Sequence, residues 1–192
     1  YATLILTSFA YSRGDSLVVK YILGNTALGI YGAGYRFLES LSLIPTALAH
    51  NLFPIASKDG VVTKRQVQHI TLTMTVFGVI IGLLLYLFSE YIILILLGVA
   101  YKQVIPILQI FSVVVVLFFI SSPLTTIVQS SSMVKQFLPW GIGNTMLNIL
   151  LNIALIPILG INGAAWTMLI TELTGLLINI YFVHKLYLKS SV

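Results

Sequence analysis

The chain has 192 residues, of which 58% are hydrophobic and only 8% charged, whereas a soluble domain carries about 25% charged residues. That is too little charge to solvate a surface, so lipid is the main solvent, and a cytosolic enzyme, a secreted disulfide scaffold and a disordered segment are excluded. The net charge of +5 comes from ten Lys and Arg scattered among long apolar runs, which make no nucleic-acid patch, and with no Cys there is no disulfide and no thiolate metal site.

The chain opens at Tyr1 inside the apolar run YATLILTSFAY, with no initiator Met, basic flank or small-residue cleavage site. This predicts a fragment that begins within its first span rather than a signal peptide. A membrane helix takes about 20 mostly apolar residues, and cutting at charges, Pro and Gly gives spans over 1–23, 30–53, 67–89, 104–128, 136–159 and 162–184. Period-two alternation is absent, so a barrel is excluded and the spans are helices. The expected fold is an all-α integral membrane bundle of six transmembrane helices, one domain over 1–192. The segment YIILILLGVAY (91–101) is about half the length a span needs, and is expected to turn or to extend the third helix. Lys58, Lys64, Arg65, Lys135, Lys185 and Lys189 fall at one end of this arrangement and only Lys20 and Lys102 at the other, which places both termini in the cytoplasm.

Polar residues inside the spans are the functional candidates. Arg13 at mid-span costs about 2.5–3.5 kcal/mol to insert, so it faces a cavity or a partner. Asp15 lies about 200° around the helix from it and cannot pair with it directly. Arg13 either reaches an anionic group in a wet cavity or pairs with Glu39 or Asp15 of neighbouring helices. Arg36 and Glu39 share a face at i, i+3, which suits a local ion pair. Alternatively Arg36 joins Arg13 on one wall, where a planar guanidinium fork suits a diphosphate. Glu172, alone among charges in the last span, is either an ion-coupling carboxylate for H⁺ or Na⁺ or a protonated, hydrogen-bonded packing residue.

Asn144, Asn148 and Asn152 recur at i, i+4, i+8 as one stripe, which serves either as glue between helices or as amides offered to sugar hydroxyls. Gly78 and Gly82 form a GxxxG pair expected at a close helix contact. Pro45 and Pro106 are expected to kink spans two and four. Tyr31, Tyr91, Tyr101, Trp140, Trp166 and Tyr181 are expected in interfacial belts. His50, His69 and His184 lie far apart, and no zinc-hydrolase, nucleophile-elbow, phosphate-loop or acidic-cluster motif occurs, so neither an enzyme nor a metal site nor an organic cofactor is expected.

Three stretches carry a resemblance. RGDSLVVKYILGNTALGIYGAGYRFLESLSLIPTALAHNLFPIAS (13–57) resembles the R-x-D…LG…G-x-Y-x-A-x-R…P…FP-x-x-S signature that opens the second lobe of polysaccharide transporters, the Wzx-type O-antigen and lipid-linked oligosaccharide flippases of the MOP superfamily. LILLGVAYKQVIPILQI (94–110) is similar to their LLG-x-x-Y…A…L-x-I segment, with Val104 or Ile105 where that family often has Ala. NTMLNILLNIALIPILGINGAAWTMLITE (144–172) resembles their N…LN-x-x-LIP-x-x-G-x-x-GAA-x-x-T-x-x-x-E stretch. The resemblance implies the C-terminal half of a longer transporter, in which two six-helix lobes enclose a cavity and rock between two states.

It also implies an undecaprenyl-diphosphate-linked oligosaccharide as substrate, with Arg13 and Arg36 matching charged cavity positions and Asp15 the acid of R-x-D. Partners would be that lipid-linked oligosaccharide, membrane lipid, the missing N-terminal lobe and polysaccharide polymerase machinery, at the inner membrane and without nucleic acid. A MATE-like multidrug or cation antiporter, which needs an acidic cavity without Arg, is the runner-up. A non-transporting membrane scaffold of a polysaccharide-assembly complex is the alternative from another class.

Overall fold

In a computed structural model that describes the backbone of residues 2–56 and 63–189 and the side chains of 14–49, 51 and 63–188, every regular element is helical. Helix α1 covers Ala2–Ala56, α2 Lys64–Leu96, α3 Val104–Ser130, α4 Val134–Leu159 and α5 Ile161–Lys189, with one 3₁₀ turn at Val99–Tyr101. Among the described residues there is no strand, and four helices, α2 to α5, are long and apolar enough to cross a membrane. The chain is an all-α, multi-pass membrane protein.

Helix α1 is not one rod. Gly24 sits at φ 86°, ψ −178°, a region open essentially to glycine alone. The hydroxyl of Tyr31 donates to a carboxylate oxygen of Asp15, sixteen residues away. A straight helix would hold such residues about 24 Å apart. The chain therefore folds back at Gly24 into two antiparallel arms, 2–23 and 25–56. The sequence leaves 24–29 as a connection, but a single residue makes the turn and helix resumes at once.

The other connections are equally short. Leu97 and Gly98 both donate their backbone N–H to the Ile93 carbonyl, closing α2. Residues 91–96 thus extend α2 and 97–103 turn into α3, so the expectation that 91–101 is no separate span holds. The N-terminus of α2 is closed by a capping box: Thr63 Oγ1 accepts from the Gln66 N–H at 3.3 Å, and Gln66 Oε1 accepts from the Thr63 N–H at 2.8 Å. Gly160 (φ 61°, ψ −143°) reverses α4 into α5. A Cβ on Gly163 would lie 2.5 Å from the Leu155 carbonyl oxygen, so that hairpin closes only on glycine.

Helix α3 is central: 56% of its most apolar stretch is buried, against 22% for α2 and α4. It packs against α1, α2 and α5, while α4 pairs with α5 and also lies against α1. The expected GxxxG contact is present, since a Cβ on Gly78 would come 2.6 Å from Phe119 Cβ, and one on Gly82 would come 2.7 Å from the Ser112 carbonyl oxygen. Around it, Leu72, Val76, Phe77, Ile80, Leu83 and Leu87 of α2 are exposed, as a lipid-facing surface requires.

Two expectations need correction. Pro106 does not kink a helix: it lies in the first turn of α3, where its missing N–H would have had no helical partner. Pro45 lies within the second arm of α1, which keeps helical dihedrals throughout, so the helix runs on through it. Tyr31 is no belt residue either, being fully buried with its ring against Tyr35 and Phe111. Tyr91, Trp140, Trp166 and Tyr181 are exposed, as a belt needs, and Tyr101 is half-buried.

Candidate functional site

The second arm of α1, the C-terminal half of α3, the N-terminal half of α4 and the middle of α5 wall a cavity of about 620 Å³. That volume is typical of a small-molecule site. The cavity lies towards the bundle end that carries Lys135 and Lys185, where Lys185 Nζ bonds Gln136 Oε1 at 3.1 Å. Tyr35, Leu38, Phe118 and Met168 supply apolar wall, and Glu39, Glu172, Asn144, Asn179 and Gln129 supply polar groups. No Lys or Arg stands among the described residues that line it.

Four hydroxyls of this wall donate to carbonyls of their own helices. Ser42 Oγ donates to the Glu39 carbonyl at 2.8 Å, Thr46 Oγ1 to Ser42 at 2.9 Å, Thr126 Oγ1 to Ser122 at 2.9 Å and Thr145 Oγ1 to Gly141 at 3.1 Å. Each thereby satisfies its only donor on its own helix. Asn179 gives its Nδ2 to Thr125 Oγ1 at 2.8 Å. Its Oδ1, together with Asn144 Oδ1 and Ser121 Oγ, is buried without a hydrogen-bond partner.

The sequence candidates are distributed unevenly over this geometry. Glu39, Glu172 and Asn144 line the cavity. Asn148 and Asn152 do not: both are buried between α4 and α5, where Asn148 Nδ2 donates to Thr171 Oγ1 at 3.1 Å and Asn152 Nδ2 to Asn148 Oδ1 at 3.0 Å. Asn144 bridges the two roles, with its Nδ2 on the Thr171 carbonyl at 3.1 Å. Arg36 is exposed and outside the cavity lining. The Arg13 backbone is helical, while its side chain, like that of His50, lies outside the described residues.

Asp15 is 2% exposed and clips the two arms of α1 through Tyr31, away from the cavity. Ser121, Thr125 and Asn179 were missed by the sequence reading. The spacing of Glu172, Gly175 and Asn179 at i, i+3, i+7, one face of α5, is the signal that would have found the last of them.

A model of the polysaccharide biosynthesis protein family matches residues 2–106, more than half of the chain. The chain belongs to that family. The matched part includes both arms of α1, all of α2 and the start of α3, and so one wall of the cavity. No curated protein and no solved structure matches the chain.

Proposed function

We propose that this member of the polysaccharide biosynthesis protein family is a six-span lobe of a flippase. Its reading is translocation of undecaprenyl-diphosphate-linked oligosaccharide across the inner membrane by alternating access, coupled to H⁺ or Na⁺, with no bond-breaking chemistry of its own. The observation that carries this reading is the cavity itself, a mainly apolar chamber that also holds two carboxylates, amides and hydroxyls, walled by four helices of a membrane protein. A scaffold would pack such hydroxyls and amides together instead of leaving them around a void.

Each arm of α1 is as long as the bilayer needs. Six spans then leave both ends of the lobe on the Lys-rich, cytoplasmic side. The cavity opens nearer that side, where a lipid-linked substrate is made. The first lobe of the same transporter would close its remaining side, and polymerase machinery would take the product.

The test is reconstitution of the full-length protein with a fluorescent lipid-linked oligosaccharide. The reading expects the label to become accessible from the opposite leaflet at a rate well above that of protein-free vesicles, and an unchanged rate would sink it. Cysteine labelling at positions 64 and 160 should come from opposite sides; labelling from one side refutes the six-span topology. One observation favours a second reading, a cation exporter: the described lining holds two carboxylates and no Lys or Arg. Gradient-driven efflux of a lipophilic cation such as ethidium from the same vesicles, without oligosaccharide transfer, would select it.

A further inference from the structure

We propose that a lipid-facing groove between α4 and α5 binds an anionic phospholipid of the surrounding bilayer, with an acyl chain in the groove and the phosphate on Lys185 and Lys135. This site is separate from the transport reading above and does not depend on it. Pro139, Trp140, Gly143 and Leu147 of α4 face Thr174 and Ile178 of α5 across a groove of about 380 Å³. Around it Met146, Leu150, Leu173 and Leu177 are exposed, so the groove opens on lipid and only backs onto the cavity, at Asn144, which lines both. A Cβ on Gly143 would meet nothing within 4 Å, so the missing side chain leaves room for a hydrocarbon chain.

The polar end of the groove lies near the start of α4 and the end of α5. Gln136, Gly143 and Leu147 share one face of α4 at i, i+7, i+11, and Thr174, Ile178 and Lys185 share one face of α5 at i, i+4, i+11. Gln136 and Lys185 therefore stand at the mouth of the groove. Lys185 Nζ donates to Gln136 Oε1 at 3.1 Å and lies 5.9 Å from the centre of the Tyr181 ring and 6.0 Å from that of Phe182. These contacts hold the ammonium between the two helices and commit one of its three hydrogens.

Lys135 is exposed one turn before Pro139 and has no hydrogen bond or ion pair among the described residues. Trp140 and Tyr181, each 56% exposed, lie near the same end, where amphipathic rings meet headgroups. No acid of either helix opposes these cations at the groove: α4 has none, and Glu172 of α5 lines the cavity instead. A zwitterionic headgroup would bring its own ammonium against Lys185, whereas phosphatidylglycerol brings a net negative charge. A basic pocket between membrane helices selects the second.

The test is tryptophan quenching in phosphatidylcholine vesicles that hold the full-length protein. Chain-brominated phosphatidylglycerol is compared with chain-brominated phosphatidylcholine at equal mole fraction, and the Trp140 signal is the part lost in Trp140→Phe. Phosphatidylglycerol should associate with Trp140 about fivefold more strongly than phosphatidylcholine. Lys185→Gln should lose most of that preference, Lys135→Gln less of it, and Lys185→Arg should keep it. Gly143→Leu fills the groove and should abolish the preference with an unchanged melting temperature, which a diffuse surface charge effect would not do.

Equal association of the two lipids, or a preference undiminished in Lys185→Gln, overturns the proposal. Absence of Trp140 quenching by either lipid also overturns it, since protein then covers the groove. So does relief of the quenching by undecaprenyl phosphate added well below the phosphatidylglycerol level, which would make this a carrier-lipid site. A protein that shows the stated preference yet moves no lipid-linked oligosaccharide keeps this site and loses the transport reading.

Discussion

Two stretches of the α4–α5 pair use asparagine in opposite ways. In the middle of the pair, Asn148 is fully engaged: its nitrogen donates to Thr171 and its oxygen accepts from Asn152. Nearer the Lys-rich end, Asn144 and Asn179 line the cavity, and each commits its nitrogen to protein while its buried oxygen has no partner. Both environments are buried and both lie within the same helices. An amide in a membrane helix therefore cannot be assigned to packing or to function by type or depth, nor by an unmatched end alone, since Asn152 Oδ1 is unmatched within the packing; its place beside or away from the cavity decides.

The difference predicts a graded series of effects. The largest belongs to a position that touches neither asparagine cluster. Gly82→Leu forces a side chain to within 2.7 Å of the Ser112 carbonyl oxygen on α3, and should cost about 3 kcal/mol of stability. It should appear as a sharply lowered melting temperature in detergent, with transport lost in proportion to folded protein.

Asn148→Ala comes next. It strips partners from Thr171 and Asn152 and should cost about 1–2 kcal/mol, again with activity per folded molecule retained. A normal melting temperature would place Asn148 with the cavity residues and break the contrast. Thr63→Ala removes the cap of α2 and should cost about 1 kcal/mol, seen as faster hydrogen exchange confined to the first turn near Gln66. The smallest stability effect belongs to Asn179→Leu: losing the 2.8 Å bond to Thr125 is offset by removing a buried unpaired oxygen, for a net change within about 0.5 kcal/mol. Oligosaccharide transfer per folded molecule should nevertheless fall by about tenfold, the reverse of the Asn148 result.

The sequence made the helices legible because apolar length alone decides them in lipid. The Gly78–Gly82 contact and the fate of 91–101 were legible for similar reasons, one from missing side chains and the other from insufficient length. Which way a helix faces was much harder to read. In water an apolar stripe marks the core, but here both lipid-facing and core-facing residues are apolar, so Tyr31 looked like a belt residue although it is fully buried. The polar stripe of α4 was seen as a stripe, yet its division between Asn144 on the cavity and Asn148 in the packing depends on where Thr171 of α5 falls. Ser121 and Thr125 escaped notice because hydroxyls are common in membrane helices, and only the absence of a partner, a three-dimensional property, sets one apart. The turn at Gly24 was placed within a six-residue stretch, since the sequence offers glycine but does not reveal that one residue suffices.

The two one-residue reversals at Gly24 and Gly160 lie at the end of the bundle away from Lys135 and Lys185. Between them, only the 97–103 turn adds backbone at that end. Digestion or antibody binding from that side of an intact vesicle thus finds little to grasp. A tag inserted at either glycine must satisfy a backbone geometry that other residues resist, so the 97–103 turn is the place to mount an epitope for reporting orientation.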